Sequence, residues 1–287
     1  MKLVSYEYAG QRGLGKVVGE WVIPLNQVLP ELPHSMAALL AAGAEVLAQV
    51  ERVQVDDEAL GFTQIRLLPP VTDPQKYLAI GMNYKAHAEE AARNGVPIPK
   101  SQLWFNKQVS CLNGPFDPVE MPKVSDKLDY EAELGVVIGT RCRHVSAAEA
   151  ASVVAGYLVC NDVSVRDWQM RSPTFTLGKS FDTHGPIGPW LVTADEVPDP
   201  HNLMMRCWVN GELRQETNTG DMIYNIWEQI AYLSTVMTLE PGDILATGTP
   251  AGVGVGFDPK HFLAVDDVVR IEVEGLGYIE NRVVAEK

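Results

Sequence analysis

Apolar residues along this chain fall into short runs broken by glycine, proline and aspartate, and two periodicities alternate. Residues 3–8 and 16–23 have strand-like composition and are joined by a glycine-rich turn. Residues 35–50 then repeat with a helical period. The stretch Leu68-Pro-Pro-Val-Thr-Asp-Pro74 can continue neither a helix nor a central strand, so it reads as a linker. It divides a small N-terminal β-rich unit, 1–70, from a larger one, 74–287. Beyond it the pattern predicts strands over 77–80, 103–105, 133–138, 158–161, 188–193, 205–209, 243–247 and 268–273. Helices are predicted over 87–94, 147–154 and 223–237. Many short strands with few helices between them predict an α+β fold and not a regular βαβ alternation.

One of these strands carries unusual chemistry. In Asp129-Tyr-Glu131-Ala-Glu133-Leu-Gly-Val-Val-Ile-Gly139, residues two apart share a face, which sets Glu131 and Glu133 side by side. The opposite parity, from Tyr130 to Ile138, is apolar. Two like charges at the root of an apolar strand are costly unless a cation sits between them. The next strand ends near Asp162, in Val159-Cys-Asn-Asp162. Three carboxylates with no histidine or cysteine pair beside them form a hard oxygen ligand set that suits Mg²⁺, Mn²⁺ or Ca²⁺ rather than zinc. A solvated Glu-x-Glu pair and a turn aspartate are the plain alternative.

Composition narrows the classes. With 46% hydrophobic residues in 287, the chain has material for a sizeable core without staples. Its four cysteines lack metal-ligand spacing and are expected to be reduced and buried, as in a cytoplasmic protein. No run approaches the length of a membrane span. A net charge of −14 argues against nucleic acid and anionic membranes as partners, and it requires local cations wherever an anionic substrate binds.

Other segments could supply those cations and a base. His87 and Glu90 are three apart and share a helix face, an arrangement in which a carboxylate orients a histidine to take a proton from water. Arg166 and Gln169 follow Asp162 by four and seven positions, on one side of a helical turn begun at Asp162. There Arg166 could clamp a substrate carboxylate and Gln169 donate to an oxyanion. Lys179 lies among apolar residues and needs a carboxylate partner. The glycine-rich Thr247-Gly-Thr-Pro-Ala-Gly-Val-Gly-Val-Gly256 lacks a Walker ending, but its amides could hold a carboxylate or an oxyanion.

Taken in order, Gly81-Met-Asn-Tyr-Lys-Ala-His87, the 129–139 run, Asn161-Asp162-Val-Ser-Val-Arg-Asp-Trp-Gln169, Gly178-Lys179-Ser-Phe-Asp and Gly242 to Gly254 resemble the fumarylacetoacetate hydrolase family. The resemblance spans roughly residues 77 to 283. It implies a mixed β-sandwich roll, a homodimer, and Mg²⁺ or Mn²⁺ held by Glu131, Glu133 and Asp162. It also implies a water-activating pair of His87 and Glu90 on a helix that orders with substrate. Lys179, Gln169 and Thr249 match residues that meet the substrate or its oxyanion, and Tyr84 is expected as a further contact. Two departures stand out: the founding branch's additional aspartate ligand has no counterpart, and Met82 replaces an arginine of the acylpyruvase branch.

The resulting expectation is a hydrolase of the C–C bond in a 2,4-dioxo acid, releasing pyruvate or a related 2-oxo acid. The alternative on the same site is decarboxylation or isomerisation of a 2-oxo or 2-hydroxy-dienoic diacid. A metal-free glycosidase using the two glutamates, and a Ca²⁺-stabilised structural module, are the remaining readings.

Overall fold

A computed structural model describes all residues of the chain except 56, 57, 94 and 96. Its frame is a 12-stranded mixed sheet whose central strands, Ala132–Ile138 and Val154–Asn161, are buried on both faces. Val154–Asn161 pairs with Gly185–Thr193, and Ala132–Ile138 with Ile244–Ala246. Ile244–Ala246 runs parallel to Tyr77–Gly81, which pairs in turn with Leu103–Lys107. A five-stranded sheet built around Met204–Val209, Val268–Val273 and Gly277–Ala285 packs against it. Leu134, Val136 and Ile138 from the first sheet and Cys207, Ile271 and Ile279 from the second fill the core between them. The architecture is thus mixed α+β, mostly sheet.

The N-terminal segment is continuous with this frame. Lys2–Tyr8 pairs with Gln11–Val18, and Lys2 and Leu3 extend onto Val192 and Leu191 of Gly185–Thr193. The β-rich part of residues 1–70 therefore lengthens the main sheet, and does not form a sheet of its own. A second apolar cluster joins the halves: Met36 and Leu39 from the N-terminal helices meet Val137, Leu158 and Ile187.

Several helical expectations change locally. The 35–50 helix is two, Met36–Ala41 and Ala44–Arg52, because Gly43 takes φ +88° and breaks the period. The helix expected over 147–154 contracts to a 3₁₀ turn, Ala150–Val153, since Val154 already belongs to the strand pairing with Ile138. The third helix runs Ile226–Val236 behind an Asn225 cap with Glu228 completing a capping box. The helix near residue 87 spans Lys85–Arg93, and its expected last residue, Asn94, lies outside the described residues. All four cysteines are buried and unpaired. Among the described residues no helix is long and apolar enough to cross a membrane.

Candidate active site

Glu131 immediately precedes Ala132–Ile138 and Glu133 lies within it, so strand parity brings both carboxylates out on one side. Asp162 follows the neighbouring strand, and its amide donates to the Glu131 carbonyl at 3.0 Å. That bond closes the corner. Carboxylate oxygens from the three buried acids lie within 4.8 Å of one another.

Such a concentration of negative charge survives burial only if it is offset. Lys179 Nζ donates to Glu131 Oε2 at 2.6 Å and to Asp162 Oδ2 at 2.8 Å. Lys107 Nζ donates to Asp162 Oδ1 at 2.7 Å and to the Lys179 carbonyl at 2.5 Å. Arg166 Nε donates to Asp129 Oδ2 at 2.7 Å, while its Nη1 lies 2.6 Å from Glu131 Oε1. Three cations thus face four buried acids, Asp129 included.

Glu133 is the acid without an ion pair among the described residues. It accepts the Gly248 amide at 2.8 Å. Burial, and then the charges of Asp162 and Glu131, push its carboxyl well above the usual carboxylate range. Burial would raise Glu131 as well, but Lys179, Arg166 and His87 outweigh it and hold that carboxyl below its ordinary value. Glu133 therefore marks where positive charge is short. An all-oxygen trio with a net deficit of positive charge fits a hard divalent cation, held by Glu131, Glu133 and Asp162.

Above the acids lies a cavity of about 300 Å³. Glu131, Glu133, Lys179, Arg166, Gln169 and Thr249 contribute its polar surface, and Ile80, Met82, Phe105, Met170 and Phe175 its apolar one. His87 and Glu90 line it too. Their helix places His87 Nδ1 3.0 Å from Glu90 Oε2, and Glu90 Oε1 accepts the Gly252 amide at 3.1 Å. With Nδ1 held by a carboxylate, Nε2 is the ring nitrogen left for a ligand.

Other expected site residues sit differently from their anticipated roles. Asp162 is not the first residue of a helical turn; the turn is Arg166–Gln169, after a short strand pairing of Ser164–Val165 with Leu128–Asp129. Arg166 does not stand free for a substrate carboxylate, because Asp129 and Glu131 take Nε and Nη1, and Nη1 also donates to Gln169 Oε1 at 3.0 Å. Its Nη2 is buried without a hydrogen-bond partner among the described residues. Tyr84 is no wall of the cavity: it is 1% exposed, packs in the core, and its hydroxyl has no partner among the described residues. Thr249 lines the cavity and accepts from Gln215 Nε2 at 2.9 Å. Four amides of the glycine-rich loop are engaged by protein carboxylates, Gly248 with Glu133, Gly252 with Glu90, and Gly254 and Val255 with Asp129.

Lys107, Asp129 and Gln215 escaped the sequence reading. Lys107 lies two residues beyond Phe105 on the buried parity of its strand, a position where an unpaired lysine is untenable. That parity was its only signal. Asp129 stood at the head of the acidic run without a role.

A mixed sheet carrying a buried carboxylate trio under a cavity with a histidine–glutamate pair defines an enzyme site whose donor set suits a divalent cation. The chain belongs to the fumarylacetoacetate hydrolase family: residues 76–284 match the family described as Fumarylacetoacetate (FAA) hydrolase C-terminal. It is 44% identical to the mitochondrial oxaloacetate tautomerase FAHD2B of Bos taurus, over 99% of this chain and 92% of that one. Among solved structures it resembles a fumarylacetoacetate hydrolase from psychrophilic Exiguobacterium antarcticum, with TM-score 0.87 and 35% identity over all of both chains. It likewise resembles the maleylpyruvate hydrolase of Sphingobium sp. SYK-6 in complex with manganese (II) ion and pyruvate, with TM-score 0.83 and 32% identity over all of both chains.

Proposed function

We propose that this protein is a divalent-metal-dependent tautomerase of 2-oxo acids, moving a proton between C3 and the 2-oxygen of a substrate such as oxaloacetate. The observation that carries the reading is the placement of the expected donors. Lys179 gives two hydrogens to Glu131 and Asp162, at the deep acidic end of the cavity. The remaining hydrogen of its ammonium is the one that could meet a substrate oxygen, and it would do so beside the trio. Arg166 Nη1 holds the Gln169 Oε1, which leaves the Gln169 amide to donate into the same cavity. The chain's electrostatic resources therefore converge on the 2-oxo acid head and not on a distal carbonyl. Relatives named as oxaloacetate tautomerases, such as the bovine protein, support the same outcome.

A divalent cation at Glu131, Glu133 and Asp162 would act as a Lewis acid toward the 2-oxo group. His87, oriented by Glu90, takes the proton from C3 and returns it to the oxygen, or the reverse. One C–H bond breaks and one O–H bond forms, with no net change in atoms or charge. The apolar wall of Ile80, Phe105 and Phe175 limits water around the reacting carbon.

Hydrolysis of a 2,4-dioxo acid is the second reading. The His87–Glu90 pair could equally take a proton from water, and the neighbour bearing manganese and pyruvate is a maleylpyruvate hydrolase. Assaying enol-to-keto conversion of oxaloacetate and cleavage of acylpyruvates side by side, with Mg²⁺, Mn²⁺ and chelator, separates the two. The proposal requires metal-dependent tautomerisation, lowered about 10²–10⁴-fold by His87→Ala, with cleavage much slower. Efficient acylpyruvate cleavage without tautomerisation would overturn it.

A further inference from the structure

The acid trio and the His87–Glu90 pair belong to segments far apart in the chain, yet one carboxylate stands between them. Asp129 is fully buried and saturated with donors. Its Oδ1 accepts the amides of Tyr130 at 2.9 Å and Gly254 at 2.7 Å, and its Oδ2 accepts the Val255 amide at 2.9 Å and Arg166 Nε at 2.7 Å. On one side, Arg166 carries the connection to Glu131. On the other, the loop held by Gly254 and Val255 carries it to Glu90 through the Gly252 amide. The next residue after Asp129 reinforces that arm, because Tyr130 Oη donates to the Gly252 carbonyl at 3.0 Å.

The loop has little freedom to absorb a change at either end. Gly248 is tied to Glu133, and Gln215 Nε2 donates to both Thr249 Oγ1 and the Pro250 carbonyl at 2.9 Å. At its far end Gly256 runs so close to Glu90 that a Cβ there would strike the carboxylate. Glu131, Arg166, Asp129, the loop, Glu90 and His87 thus form one continuous hydrogen-bonded path around the cavity.

We infer that Asp129 is a positioning residue that couples cation binding at the acid trio to the placement of His87 and Glu90. A cation that draws Glu131 toward itself changes the pull on Arg166, and Asp129 passes that change to the loop that holds Glu90. By reciprocity, loosening Glu90 must change cation affinity by the same factor. The inference rests on the cation site proposed above and adds a coupling that the site by itself does not require.

Two measurements with Mn²⁺ alone test it, neither of which needs turnover. The first is hydrogen exchange with and without Mn²⁺ over helix Lys85–Arg93, in the parent chain and in Asp129→Asn. Asparagine keeps one accepting oxygen but loses the charge that holds Arg166. Mn²⁺ is expected to slow exchange of this helix at least about threefold in the parent, and to leave it unchanged in Asp129→Asn. The second covers the case in which Asp129→Asn does not fold. Glu90→Ala, on a partly exposed helix outside the trio, is expected to weaken Mn²⁺ binding about fivefold by calorimetry, the scale of a modest coupling between sites. Where Asp129→Asn folds, Glu90→Ala adds nothing further in that background. If Mn²⁺ binds but leaves Lys85–Arg93 unprotected, or if Glu90→Ala leaves the affinity unchanged, the coupling is refuted while the cation site stands. If Mn²⁺ does not bind the parent, the cation site itself fails and the coupling with it.

Discussion

Replacing Lys107 by methionine tests the electrostatic account of the site most directly. The two side chains are similar in length, so the cavity left behind is small and the change is chiefly one of charge. Lys107 and Asp162 are both fully shielded from solvent, with Nζ 2.7 Å from Oδ1. Breaking a buried ion pair by removing one partner costs about 3–5 kcal/mol, because the survivor's charge is left unanswered. Asp162 keeps Lys179 at 2.8 Å, which places the loss near the lower end, about 3 kcal/mol. In a chain of 287 residues, whose unfolding entropy is about 0.6 kcal/mol/K, that corresponds to a fall in melting temperature of about 5 °C. The measurement is a thermal melt of Lys107→Met and parent in chelator, repeated in saturating Mn²⁺. Because a cation beside Asp162 supplies the positive charge that the variant lacks, the deficit is expected to shrink when Mn²⁺ is present. A variant that melts with its parent in chelator, or one whose deficit is the same with and without Mn²⁺, would refute the reasoning.

Glu133→Gln keeps an acceptor for the Gly248 amide while replacing a carboxyl whose ionised form burial disfavours, so the metal-free protein is expected to hold its stability as Mn²⁺ affinity falls at least about tenfold; melts and calorimetry report the two effects separately. Tyr84→Phe removes a buried hydroxyl that has no partner, so activity within about twofold of the parent and unchanged or higher stability are expected; a large drop in turnover would restore Tyr84 as a substrate contact. His184 is buried, its Nε2 donates to the Glu120 carbonyl at 2.8 Å, and burial lowers its pKa from 6.5 to about 4. The unfolded chain therefore takes up this proton first as pH falls, so stability is lost between about pH 6.5 and 4, by about 3 kcal/mol in all, and is fully present above that window. Imidazole NMR signals that remain neutral at pH 5 in the folded protein are the expected result, and titration near the ordinary histidine value the contrary one.

What could be read in advance were features with a local period. The parity of Glu131 and Glu133 follows from two-residue alternation, and the spacing of His87 and Glu90 from the helical turn; the structure keeps both pairs together. The roles of Arg166, Tyr84 and the loop amides depended on partners that no local period encodes. Arg166 meets Asp129, 37 residues earlier, and the Gly248 amide meets Glu133 across 115. Reading those residues as free to bind substrate assumed that nothing else in the chain required them. Burial reverses that assumption, since a charged or polar group inside must find a partner before any ligand arrives.

The same reasoning explains why one acid is left over. Had the fold surrounded the trio with a fourth cation, Glu133 would be paired and the site would be a closed salt-bridge network, more stable and less able to take a metal. With three cations against four acids the cluster has no partner for a fourth carboxylate, and burial disfavours the ionised form of Glu133. A divalent ion that displaces the Glu133 proton would leave one positive charge in excess, and the carboxylate of a 2-oxo acid would restore neutrality. The unpaired Glu133 therefore favours cation and anionic substrate binding together, because either alone leaves net charge in a buried cavity.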